Sequence, residues 1–159
     1  MDEGSAVEQQ AHARLVNARR TLELAQLDYN RALKDSAKVL PTRQIANGAR
    51  IPQTTVPQAL DAVAKTPDLL EGFSAASPYE LCERYASGLL SRDELLDQLT
   101  RWPYPPMPHP DEFGDYTESF NGTFSDVMNA NHAGLISIED YADIVARFTQ
   151  STDPLGVCK

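Results

Sequence analysis

Three polar side chains, Gln53, Thr54 and Gln58, stand among apolar and small residues in the stretch TRQIANGARIPQTTVPQAL (42–60), and Arg43 and Arg50 precede them. The chemistry open to this set is hydrogen bonding to base edges together with ion pairing to phosphate. A Gln amide carries a donor and an acceptor side by side and matches adenine bidentately, and a Thr hydroxyl reaches a base or a phosphate. Arg43 and Arg50 are the expected phosphate contacts. No other group of residues has the spacing for a reaction. His12, His109 and His132 are isolated from partners at ligand or catalytic spacing, and no P-loop, nucleophile elbow or dinucleotide fingerprint is present. Cys82 falls at an apolar helical position and reads as a buried structural thiol. The sequence predicts no enzyme, no metal ion and no cofactor.

Two short crossed helices must position these side chains. Ile45 and Ala46 pack the first helix, Ala49 and Ile51 bracket the turn, and Val56, Ala59 and Leu60 face inward from the second. That leaves Gln53, Thr54 and Gln58 outward near the start of the second helix. The spacing T-x-x-I-A-x-x-A-x-I-P-x-x-T-V-x-x-A-L resembles the DNA-binding headpiece of the lac-repressor family. The wider stretch 11–62, with its Ala- and Arg-rich leading helix, resembles small actinobacterial and phage-type helix-turn-helix regulators. The resemblance implies that the second helix lies in the major groove of double-stranded DNA, with Gln53, Thr54 and Gln58 as base-reading residues. Two positions depart from the pattern. Arg50 occupies the turn position usually held by Gly, where a positive φ is easiest. Pro57 falls inside the second helix, where it removes a hydrogen bond and crowds the preceding turn. A competing assignment fits Pro57: Thr55 as N-cap and Gln58 three residues on form a capping box that opens an ordinary helix. The loop before that helix is then too long for a helix-turn-helix.

Upstream, residues from about Ser5 to Lys38 read as one helix, without Pro or an internal Gly. Ala11, Leu15, Ala18, Leu22, Ala25, Tyr29 and Ala32 recur at alternating spacings of four and three, the seam of a coiled coil or a close helix pair. Arg14, Arg19, Arg20 and Arg31 lie off the seam and are expected in solvent. The seam has two readings: homodimerisation, or packing on the chain's own later helices.

Downstream, a segment returns at an offset of 46 residues. Tyr85-Ala-Ser-Gly88-Leu-Leu-Ser91 continues through Glu94 to Arg101-Trp102, and Asn131-His-Ala-Gly134-Leu-Ile-Ser137 continues through Asp140 to Arg147-Phe148. In each copy Gly closes one helix, two apolar residues enter the core, and Ser caps the next helix with Glu94 or Asp140 three residues on. Trp102 and Phe148 are expected to end the second helices. The same turn resembles one found in antitoxins that partner Fic-domain toxins, although the inhibitory motif of that family is not matched. It also resembles the second half of an EF-hand loop, but the ligand places hold Asn129, Asn131 and Ala133, or Glu83, Tyr85 and Ser87, too few carboxylates for calcium. Residues 66–78 form a junction, and the Pro-rich run 103–110 is an extended connector.

Charge divides the chain. Residues 1–65 hold nine Lys/Arg and seven Asp/Glu, a balance of +2, whereas residues 66–159 hold five and sixteen, a balance of −11. The first part suits phosphates, and the second suits a basic protein partner. Two distant cysteines, a polar acidic N-terminus and the lack of a long apolar run predict a cytoplasmic chain with no membrane contact. The expected fold is all-α: a long helix and helix-turn-helix over 1–65, then two capped hairpins over 66–159. The expected function is a small DNA-binding regulator, antitoxin-like or of phage or mobile-element type, with an acidic protein-interaction region. The alternative is an all-helical interaction or structural protein, such as a phage assembly component, without DNA binding.

Overall fold

The computed structural model describes residues 3–105 and 122–151. They form seven α-helices and one 3-10 turn, with no strand among them. The chain divides into two compact units, Met1–Asp68 and Leu69–Lys159.

In the first unit, α1 spans Glu3–Val39 and stops before Pro41, whose ring disfavours a helical Leu40 and whose nitrogen has no proton to donate. Pro41 then opens α2 (Thr42–Ala49), its carbonyl accepting from the backbone N–H groups of Gln44 and Ile45. Arg50 follows in the left-handed region at φ 55°, and Ile51 N–H returns to Ala46 O at 3.0 Å. This is the helix stop that Gly usually provides. Gln53–Thr55 form a 3-10 turn that runs directly into α3 (Val56–Val63). Pro57 therefore sits in the first turn of α3, where its missing N–H costs little. Thr55 is not a side-chain cap; its backbone is already right-handed helical, and its hydroxyl donates to Pro52 O at 2.8 Å. Leu33, Ile45, Ala46, Val56 and Val63 form the core of the unit, with Ala49, Ile51, Ala59 and Leu60 packed against it.

Two expectations about this unit change. Arg31 is not solvated: it is 6% exposed, and its guanidinium donates to Pro67 O at 2.8 Å. Lys34 likewise donates to Thr66 O and pairs with Asp68, both at 2.8 Å. These two cations hold the segment after α3 against α1. Pro67 is the expected stop of the helix through Leu60, but α3 ends earlier, at Val63.

The second unit is built from α4 (Pro78–Ala86), α5 (Arg92–Arg101), α6 (Ser125–His132) and α7 (Ile138–Ser151). The 46-residue repeat is a repeat of hydrogen bonds. Leu89 N–H bonds Arg84 O at 2.8 Å and Leu135 N–H bonds Ala130 O at 2.9 Å, with Gly88 and Gly134 left-handed at φ 76° and 75°. Ser91 and Glu94 form a reciprocal capping box, and Ser137 Oγ accepts from Asp140 N–H at 3.0 Å. The repeats are not identical in packing. Leu135 and Ile136 are both buried, but in the first copy only Leu90 is, and Leu89 is exposed. Trp102 does follow the last turn of α5, whereas α7 continues past Phe148 to Ser151. Leu81, Leu95, Leu96, Leu99, Val127 and Ile144 make the centre of the core. Of the Pro-rich connector, residues 103–105 belong to no helix, with Tyr104 N–H donating back to Trp102 O at 2.9 Å, and 106–110 lie outside the described residues.

The two hairpins join at Asp140. Arg92 Nε donates to its carboxylate at 2.7 Å and Tyr85 Oη at 3.2 Å, so both groups of the first hairpin meet the cap of α7. Burial opposes ionisation of Asp140, but the bonds from Arg92, Ser137 and Tyr85 outweigh it and hold the carboxyl below its ordinary range.

Two outcomes follow from these contacts. Arg50→Gly should stabilise the chain by about 1 kcal/mol, because it relieves a side chain held at positive φ, and the shift is read from a urea midpoint. Asp140→Asn should cost about 1 kcal/mol at neutral pH, less than a fully buried charged bond because Arg92 is partly solvated. A carboxyl depressed in the folded state stabilises above its unfolded pKa, and that contribution disappears as pH falls through the folded value. The difference between wild type and Asp140→Asn should therefore shrink in unfolding curves as pH falls below the ordinary carboxylate range.

Candidate nucleic-acid interface

The five residues singled out in the sequence all lie on the surface of the first unit. Arg43 is in the first turn of α2, Arg50 is the left-handed residue that ends it, Gln53 and Thr54 are in the 3-10 turn, and Gln58 is in the first turn of α3; each is exposed. The fold gives them a common support: Ile45 and Ala46 anchor α2, Val56 and Val63 anchor α3, and Ile51 packs under the turn. The polar side chains point outward because the apolar positions alternate with them at helical spacing.

The local electrostatics are simple. From Ser36 to Leu60 the chain carries Lys38, Arg43 and Arg50 and no carboxylate. Lys38 pairs with Asp35 at 2.6 Å, which raises its pKa and occupies its charge. Arg31 and Lys34 are committed to the Pro67–Asp68 segment. Arg43 and Arg50 thus remain as the exposed cations of the motif itself. Sequence reasoning missed Asp61. It is exposed on α3, three residues beyond Gln58 and so on the same helix face, and its charge is opposite in sign to Arg43 and Arg50. Its signal was the i, i+3 spacing, visible once the helix was continued past Leu60.

The second unit offers a different surface. A cavity of about 640 Å³ is lined mainly by Trp102, Tyr104, Phe124, Met128, Tyr141 and Phe148. Phe124 stacks on Phe148 with ring centroids 4.8 Å apart, and Tyr104 meets both edge-on at 5.4 Å. Tyr104 Oη donates to Leu99 O at 2.7 Å, and burial raises its pKa. This lining offers apolar contact and no charged group. Among the described residues no three His, Cys, Asp or Glu side chains gather as metal ligands, and no helix is long and apolar enough to cross a membrane. His12 and His132 are exposed; His109 and Cys158 lie outside the described residues.

Comparison with family models, curated proteins and solved structures gives no match to this chain.

Cys82 is fully buried, and burial, with Asp126 and Glu83 nearby, pushes its thiol up to about 12. In a Cys158→Ser background it should resist alkylation at mildly alkaline pH in the native protein and react at once when unfolded, as mass spectrometry would show. Fast labelling of the native protein would mean that the site opens locally.

Proposed function

We propose that the chain is a small DNA-binding regulator whose residues 42–60 read duplex DNA and whose acidic second unit engages a protein. One observation carries the DNA reading: α2, a three-residue turn and the continuous rod from Gln53 to Val63 pack on the end of α1 with all five candidate residues exposed. In this arrangement the rod enters the major groove by its N-terminal end, where Gln53, Thr54 and Gln58 meet base edges. Arg43 and Arg50 contact phosphates on either side. With so few cations, binding is weak and steeply dependent on salt.

A second reading is a helical interaction protein without DNA binding, antitoxin-like or part of a phage assembly. It is favoured by Asp93, Glu94 and Glu139, exposed near the N-terminal ends of α5 and α7. Such a surface attracts a basic partner and repels nucleic acid.

Fluorescence anisotropy with the full chain and host genomic fragments at low salt separates the two. Gln53→Ala and Gln58→Ala should each lower discrimination between sites by about 1–3 kcal/mol. Arg43→Ala and Arg50→Ala should weaken binding to every sequence alike. Asp61→Asn should tighten binding several-fold by removing a carboxylate from the groove-facing side of α3. Equal losses in all four alanine variants would overturn the assignment of roles, and no binding at low salt would leave the protein-interaction reading.

A further inference from the structure

The seam of α1 is uncovered in the first unit. α2 and α3 pack against other residues of α1, including Leu33. Arg31 and Lys34 reach the segment after α3 from the same side. On the stripe, Leu15 is 68% exposed, Leu22 65% and Tyr29 44%, and Ala11, Ala18, Ala25 and Ala32 are exposed between them. Such a row of large apolar side chains in water marks an interaction surface.

We propose that a second copy of this chain covers the stripe and that the two α1 helices pair antiparallel. Size complementarity fixes the direction. Large residues recur every seventh position at Leu15, Leu22 and Tyr29, and Ala recurs every seventh on the neighbouring row. With α1 antiparallel about a dyad between Glu23 and Leu24, each of the six core layers between Leu15 and Ala32 holds one large and one small side chain. Leu15 lies over Ala32 of the second copy, Ala18 over Tyr29 and Leu22 over Ala25, each pair repeated by the symmetry. A parallel pair would stack Leu on Leu and Ala on Ala, leaving the Ala layers underfilled.

Charge agrees. In the antiparallel pair Arg14 flanks the core opposite Asp35 of the second copy, whose carboxylate also pairs with Lys38 of its own helix, twice by symmetry. A parallel pair would set Arg14 against Arg19 of the second copy, a like-charge contact. The stripe also continues into a groove of about 280 Å³ between α1 and α2, lined by Tyr29, Ala32, Leu40, Gly48 and Ala49. The N-terminal end of the second copy's α1, small at Ala11 and Ala13, fits there. At 1.5 Å per residue the two Leu33 side chains stand about 28 Å apart along the pair and the two Val39 about 46 Å. On the DNA reading proposed above, on which this point alone rests, that range brackets the ~34 Å between half-sites one turn apart.

Sedimentation equilibrium of the full chain, without DNA, tests the pairing independently of DNA binding. The wild type should show a concentration-dependent monomer–dimer equilibrium. Leu22→Glu should weaken it at least tenfold, with helix content and melting of the monomer unchanged because the site is exposed. Arg14→Asp should weaken it about three- to tenfold, and adding Asp35→Arg should restore it, since the swap recreates both cross-pairs only in the antiparallel arrangement. A wild type that is monomeric at every concentration overturns the proposal, as does a dimer indifferent to Leu22→Glu. Failure of the charge swap to recover association overturns the antiparallel direction.

Discussion

A helix that must reverse within a few residues has carbonyls to satisfy and one backbone position that has to turn left-handed. Among the described residues this constraint recurs three times, after α2, α4 and α6, and the directions of the following segments depend on it. The bonds from Ile51 to Ala46, Leu89 to Arg84 and Leu135 to Ala130 are the same backbone closure at three sites. In the second unit Gly88 and Gly134 occupy the left-handed position without strain. In the first unit Arg50 does so at some cost to stability. The deviation places a cation beside the turn that leads into Gln53 and Thr54, so a local loss of stability coincides with an exposed charge at the candidate interface.

The two units use charge in different ways. In the first, Arg31 and Lys34 are turned inward to tie down the segment after α3, which leaves Arg43 and Arg50 outward on the motif. In the second, carboxylates serve as helix caps before they serve as surface charge. Glu94 closes the start of α5, and Asp140 both caps α7 and receives Arg92 and Tyr85 from the other hairpin. Glu80 similarly accepts from Ala76 N–H near the start of α4 and pairs with Arg84 at 2.8 Å. A formal balance read from the sequence counts all of these charges equally, whereas only the exposed ones act on a partner.

The helical elements, their caps and the repeat were legible in the sequence because the interactions that make them are local. Gly followed three residues later by Ser, then by Glu94 or Asp140 at N3, specifies a turn and a capping box without reference to the rest of the chain. Apolar spacing likewise placed Ile45, Ala46 and Val56 inside and Gln53, Thr54 and Gln58 outside. The competing assignment was equally local, and α3 adopts its positions: Thr55 is at the N-cap, Pro57 in the first turn and Gln58 at N3, but no side-chain bond caps the helix and a 3-10 turn runs into it.

Only the tertiary structure decided which face of α1 is covered. Arg20, Leu24, Leu27, Arg31 and Lys34 also recur at spacings of four and three, parallel to the Ala–Leu seam. Their cations disguise the pattern, yet Leu24 and Arg31 are buried while Leu15 and Leu22 stand in water. A buried guanidinium needs an acceptor, and the carbonyl of Pro67 lies 36 residues away in sequence. The convergence of Tyr85 and Arg92 on Asp140 is equally remote. Periodicity fixes which residues share a helix face; the partners that satisfy a buried charge are set by chain segments that meet only in the fold.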